Sequence, residues 1–303
     1  QLVLALAYVI SVTYYIQLLG SFLFNALSVD AKLAQAVVAA GILGGIACTG
    51  YLFGLKVIER VEKYAINLNL SVIVSMIIGL AVHNYVLWQS GDWSLPRLDV
   101  KTGDWDALRF CLGLLVIVQG FETSRFLGAE HSAKLRVRTM RWAQGISSFI
   151  YMTFLALMMV VVTREAANQN VDVTAIVGLV GVVASILPLL VTVAAVGSQF
   201  SAAVADEAGC GGLLSQLLGK YANDRTAYLL IGGVTVVLAF SVNVLQIVSL
   251  ASRAFATFYC FQCAIACVYA WNSNDHSKLR AIGYGVLTLV ALTITLLAKS
   301  VEG

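Results

Sequence analysis

Charge is scarce in this chain: Asp, Glu, Lys and Arg together make up 12% of its 303 residues. The basic residues sit in short loops between apolar runs, not in a patch, which excludes a nucleic-acid surface. Histidine occurs three times and is scattered, at His83, His131 and His276. No Ser-His-Asp or His-Glu-x-x-His pattern forms, so no catalytic constellation is expected and the chain is not read as an enzyme. The six cysteines give no disulfide framework. Cys48, Cys111, Cys260, Cys263 and Cys267 fall within apolar runs and Cys210 within a glycine-rich stretch, as reduced thiols that pack like small apolar residues do. Cys260, Cys263 and Cys267 are spaced to share a helical face, but no further ligands at similar depth make them a metal site. Also absent are a soluble domain, a low-complexity linker, and a charged leader with a small-residue cleavage site. The chain starts on Gln1, already inside an apolar run, and is expected to be a fragment.

What is abundant is apolar sequence. Hydrophobic residues make up 60% of the chain and the mean hydropathy is +0.88. Runs of roughly 20 apolar residues recur throughout, the length needed to cross a bilayer. Nine crossings are expected, at about 1–27, 33–56, 62–89, 107–131, 137–163, 174–206, 226–244, 246–271 and 279–299. The chain is therefore expected to form a single transmembrane domain, an all-α multi-pass membrane protein of the plasma (inner) membrane. Ser90–Asp106, with Pro96 and alternating charge, reads as a surface loop. Pro188 predicts a kink or tilt in the sixth crossing, and 211–219 reads as a short interfacial helix after it. Gly41, Gly44 and Gly45 fit a small-residue contact face. Lys and Arg are twice as frequent in one alternate set of loops as in the other, which predicts that Gln1 starts on the cytoplasmic side and Gly303 ends outside.

The fourth crossing carries the functional signal. The run Leu114-Leu-Val-Ile-Val-Gln-Gly-Phe-Glu-Thr-Ser-Arg125 puts a glycine and then a carboxylate at about membrane depth. Such a carboxylate costs at least ~2.5–3.5 kcal/mol at a helix centre and normally faces the bundle interior. A backbone break there is tolerated only against protein or a wet cavity. Broken helices with polar groups near the midplane are how secondary transporters bind their solutes. Gln119, Gly120, Phe121 and Glu122 are therefore the first candidates for solute binding. Glu122 serves either as a hinge anchor or proton carrier, or as a structural carboxylate that caps a helix end or pairs with an arginine. Arg253, in the eighth crossing, is the candidate ion-pair partner; the alternative is a side chain that snorkels to the interface.

Three stretches resemble the amino acid–polyamine–organocation permease superfamily. Gln119-Gly-Phe-Glu-Thr-Ser-Arg-Phe-Leu-Gly-Ala-Glu130, with its following basic loop, is similar to the sixth helix of those permeases. Ala194-Ala-Val-Gly-Ser-Gln-Phe-Ser-Ala-Ala-Val-Ala-Asp206 is similar to the eighth, and the stretch from Ile58-Glu-Arg to Leu80 to the fifth. The nine crossings then resemble helices three to eleven of a twelve-helix permease. The resemblance implies an inverted-repeat, leucine-transporter-type fold lacking its first two helices, which are the expected partner from the same chain. It further implies that Tyr14, Tyr15 and Gln17 lend side chains to the solute cavity. Ser198 and Ser201 match hydroxyls that sodium-coupled relatives use, and Asn69 stands where proton-coupled relatives carry a lysine. For each of these the plainer alternative is helix packing.

The expected function is secondary active transport of an amino acid or related organic amine by alternating access. No cofactor is expected; Na+ or H+ is the expected coupling ion, as in a symporter. The other expected partners are the small solute and the lipid bilayer. The alternatives are a non-transporting membrane sensor or subunit with the same fold, or a carrier of a different small solute. The stretch by itself is expected not to transport.

Overall fold

Helix α1, Leu2–Ala26, is apolar on every side, and sixteen of its 25 residues are buried. A helix that is hydrophobic all round belongs in the middle of a bundle, and α1 sits there. The computed structural model describes residues 1–27, 34, 37–42, 44–45, 48, 55–95, 105–127, 131–162, 173–218, 224–273 and 278–299. All regular secondary structure among them is helical. After α1 come α2 (Leu55–Ser90), α3 (Trp105–Leu112), two 3-10 segments (Leu115–Val118 and Phe121–Leu127) and α4 (Ala133–Met158). Then follow α5 (Ala175–Gly181), α6 (Leu187–Leu218), α7 (Asp224–Ser241), α8 (Val244–Asn272) and α9 (Lys278–Leu297). Half of the expected second crossing, 33–56, lies outside the described residues, as do Pro96 in the expected surface loop and His276. Among the described residues no atom lies within 4 Å of where a Cβ on Gly41, Gly44 or Gly45 would stand.

Five described helices are long and apolar enough to cross a membrane: α1, α2 from Tyr64, α6, α8 and α9. Large apolar side chains such as Phe149, Met152, Leu189, Phe261 and Leu289 face outward, as lipid-facing positions do. Helix α1 packs against α6, α7 and α8; α8 packs on α9, and α2 on α6. The main core joins Leu4, Tyr8 and Val9 of α1 to Cys210 and Leu213 of α6 and to Ile247, Ala251 and Phe255 of α8.

The sixth crossing differs from its expected outline in two ways. The chain breaks at 182–186 between α5 and α6, and Pro188 falls in the first turn of α6. Proline is tolerated there because the first helical N–H groups have no intrahelical partner anyway. At its other end α6 does not stop near residue 206. It runs on to Leu218, so 211–218 continues a long helix, buried at Gly211 and Leu213 and exposed at Gln216 and Leu218, and is not a separate interfacial one; residue 219 lies outside the described residues. Its antiparallel pairing with α1 puts Asp206 beside Ser11 and Cys210 beside Ala5. Asp206 is thereby carried into the middle of the bundle.

Candidate functional site

The fourth crossing is interrupted. Gln119 is extended, with φ −80° and ψ 178°, and Gly120 has φ 118°. That positive φ needs glycine, although nothing lies within 4 Å of a notional Cβ there. The interruption follows α3 and separates two 3-10 segments, so 115–126 is not one continuous α-helix.

A break inside a bilayer needs partners for its freed backbone groups. Several come from specific side chains. Ser252 of α8 accepts from the Val116 N–H at 2.9 Å and donates to the Gly113 carbonyl at 2.6 Å. Tyr151 of α4 donates to the Ile117 carbonyl at 3.3 Å. Thr123 donates to the Gly120 carbonyl at 2.6 Å, and the Glu122 carboxylate accepts from the Gly120 N–H at 3.2 Å. The break is thus held open by side chains from α8, from α4 and from itself.

Glu122 Oε2 also accepts from the Tyr259 phenol at 2.7 Å, while Oε1 is buried without a partner. The ring of Tyr259 stacks on Phe121, with centroids 5.1 Å apart, and on Phe255 at 6.2 Å. Arg253 does not take the expected place. It is exposed, donates to the Leu296 carbonyl of α9 at 3.2 Å, and forms no ion pair with Glu122. The reason is helix geometry. Ser252, Phe255 and Tyr259 follow the i, i+3, i+7 spacing of one helical face, which α8 turns inward. Arg253 lies one residue off that face, where α9 is its neighbour.

Gln119 donates to the Tyr15 hydroxyl at 3.1 Å, and Tyr15 lies against Tyr14 with ring centroids 5.1 Å apart. Tyr14 lines a cavity of about 350 Å³ with Phe22, Phe110, Leu114, Ile117 and Gln199. The break, Tyr14 and Tyr15 are therefore one site. Gln17 is placed elsewhere. It donates to the Ala239 carbonyl at 3.0 Å and the Val242 carbonyl at 2.6 Å, tying α1 to the end of α7, and it is absent from the cavity lining. Asn69 and Ser198 line a second cavity of about 400 Å³ between α2, α4 and α6. Ser201, buried one turn further along α6, is not part of that lining. Among the described residues no group of three or more His, Cys, Asp or Glu side chains could hold a metal ion.

The model of the APC superfamily transporter family matches residues 1–298. The chain belongs to this family. A protein of Aquifex aeolicus (strain VF5), named "Uncharacterized protein", is 36% identical to it over 302 residues, which is all of this chain and 72% of that relative. The family and the apolar helices together make this a multi-pass helical membrane protein of a transporter family.

Several residues of this APC family member carry the site without standing out in sequence. Tyr259 and Ser252 sit in an ordinary apolar helix, and only the i, i+7 spacing between them hints at a shared face. Gln199 lines both cavities with its side-chain oxygen unpartnered. Asp206 is 4% exposed and accepts from the Ser11 hydroxyl. Glu207 is 2% exposed, and neither of its carboxylate oxygens is hydrogen-bonded. Asp206 ends the small-residue stretch that resembles the family's eighth helix and Glu207 follows it, so this point reads as the end of a crossing because charge begins there.

Proposed function

We propose that this APC family member is a secondary transporter that moves an amino acid or related organic amine across the plasma (inner) membrane by alternating access. The observation that carries the reading is the break at Gly120. Its backbone is held by side chains of α4 and α8, and it adjoins an apolar cavity. The half-crossings on either side are separate bodies joined at a residue with positive φ, which is the construction of a hinge. On this reading the crossings belong to an inverted-repeat fold whose first two helices complete the solute site. The cavity suits a solute with an apolar side chain: Leu18, Phe22, Phe110, Leu114, Leu245 and Val248 dominate its lining. The amine of the solute would lie toward Gln119, Tyr14, Tyr15 and Gln199. The half-buried Glu122 and the buried Asp206 and Glu207, in a bundle that offers them no basic partner among the described residues, are what an ion-coupled pathway contains. The coupling ion on this reading is H+ or Na+, and Asn69 and Ser198 supply oxygens to the second cavity.

The test is uptake by the full-length protein in proteoliposomes. Radiolabelled leucine, other amino acids and the corresponding amines are offered under an imposed H+ or Na+ gradient. Saturable, gradient-dependent uptake of at least one supports the reading. A folded, reconstituted protein that takes up none of them under either gradient overturns it.

A further inference from the structure

The 350 Å³ cavity has one charged residue in its described lining, Lys299. Its backbone is strapped in place just beyond α9. The Lys299 N–H donates to the Arg109 carbonyl at 3.0 Å, and Arg109 Nε donates back to the Leu297 carbonyl at 3.0 Å. The strap lies so close to the turn after α3 that a Cβ on Gly113 would stand 2.5 Å from the Lys299 carbonyl oxygen. The lysine is therefore fixed at the lip of the cavity, at the end of the bundle that the Lys/Arg distribution assigns to the outside.

Lys299 Nζ is 3.5 Å from Asp106 Oδ2, and Arg109 Nη1 is 3.3 Å from Asp106 Oδ1. Both cations contact the Asp106 carboxylate, and Lys299 lies beside an apolar wall of Phe22, Phe110, Leu114 and Leu245. Walls of low dielectric strengthen the attraction of the Lys299 ammonium for an anion in the cavity. All three side chains are partly exposed, so the pair with Asp106 is weak and open to exchange.

Resting on the transport reading above, we propose that Lys299 is a specificity-determining residue that favours solutes carrying a carboxylate, and that Asp106 competes with that carboxylate for the ammonium. An arriving carboxylate displaces Asp106 from Lys299, leaving the solute's apolar part toward the cavity wall. Asp106 keeps its contact with Arg109 throughout.

The experiment compares leucine with isoamylamine, which is leucine without its carboxylate, in proteoliposomes holding the full-length protein. Lys299→Gln should raise KM for leucine about 5–10-fold with little change in kcat and leave isoamylamine unchanged. Lys299→Arg should restore most of the leucine affinity. Asp106→Asn should act in the opposite direction, lowering the leucine KM about 2–3-fold, and it keeps the proposal testable if Lys299→Gln fails to fold. Equal effects on both solutes, or none on leucine, overturn the role of Lys299 while the transport reading stands. The same holds if a bound inorganic anion is the occupant: chloride then protects wild type but not Lys299→Gln against heat, and leucine KM does not respond to the substitution. A wild type that takes up neither solute nor any other amino acid or amine overturns the transport reading and this role with it.

Discussion

Tyr259 donates its phenolic hydrogen to Glu122 Oε2 at 2.7 Å, joining helix α8 to the break in the fourth crossing. The same carboxylate oxygen accepts from the Gly120 N–H, so one atom links the hinge residue to the helix behind it. Tyr259→Phe keeps the ring stack on Phe121 and removes only the donor. Loss of a hydrogen bond to a half-buried carboxylate costs about 1–3 kcal/mol. The expected outcome is a lowered unfolding midpoint in detergent, followed by tryptophan fluorescence. An unchanged midpoint would show that the bond does not hold the break.

Gly120→Ala isolates the backbone. No atom stands within 4 Å of the new methyl group, so steric clash contributes nothing and the effect comes from φ 118° alone. Forcing an L-residue there costs about 1–3 kcal/mol. Thermal stability should fall and uptake should fall with it, because the hinge loses the conformation it is built on. Wild-type stability together with wild-type uptake would remove Gly120 from the hinge.

Ser252→Ala should be worse than its small change in volume suggests. The hydroxyl accepts from Val116 and donates to Gly113, and removing it leaves a buried N–H and a buried carbonyl unpaired at once. Each orphaned group costs about 1–3 kcal/mol. Ser241→Ala is the control, since Ser241 is exposed and bonds only back to Val237 within its own helix. Similar unfolding midpoints for the two variants would count against the role given to Ser252.

Arg253→Gln should be nearly silent. The guanidinium is exposed and donates to a single carbonyl, so a change of about 0.5 kcal/mol or less is expected. A large loss of stability, rescued by exchanging the charges of Arg253 and Glu122, would restore the ion pair that the structure replaces with Tyr259.

Cysteine labelling distinguishes the two serines of α6. Ser198 lines the 400 Å³ cavity, whereas Ser201 is buried and outside its lining. In a background with the native cysteines replaced, Ser198→Cys should react readily with a small water-soluble thiol reagent. Ser201→Cys should react slowly, and equal rates would contradict the placement.

Sequence alone determined the helical membrane class, the family and the place of the interruption. Each is written in local pattern: roughly 20-residue apolar runs, a motif around Gly-Phe-Glu, and a glycine where a crossing meets a carboxylate. Tertiary structure decided what that carboxylate touches. Arg253 and Tyr259 stand six residues apart on one helix, about 9 Å along its axis, and the rotation of α8 chose the tyrosine. It also decided that Ser252 satisfies the broken backbone and that Gln17 braces α7 instead of the cavity. The acids at 206 and 207 mark the edge of an apolar run in sequence, yet they sit inside the bundle because α6 continues past them along α1. Hydropathy records how much of a helix avoids water. Helix rotation and depth are set by packing against neighbours distant in the chain, and those choose the partner of every buried polar group.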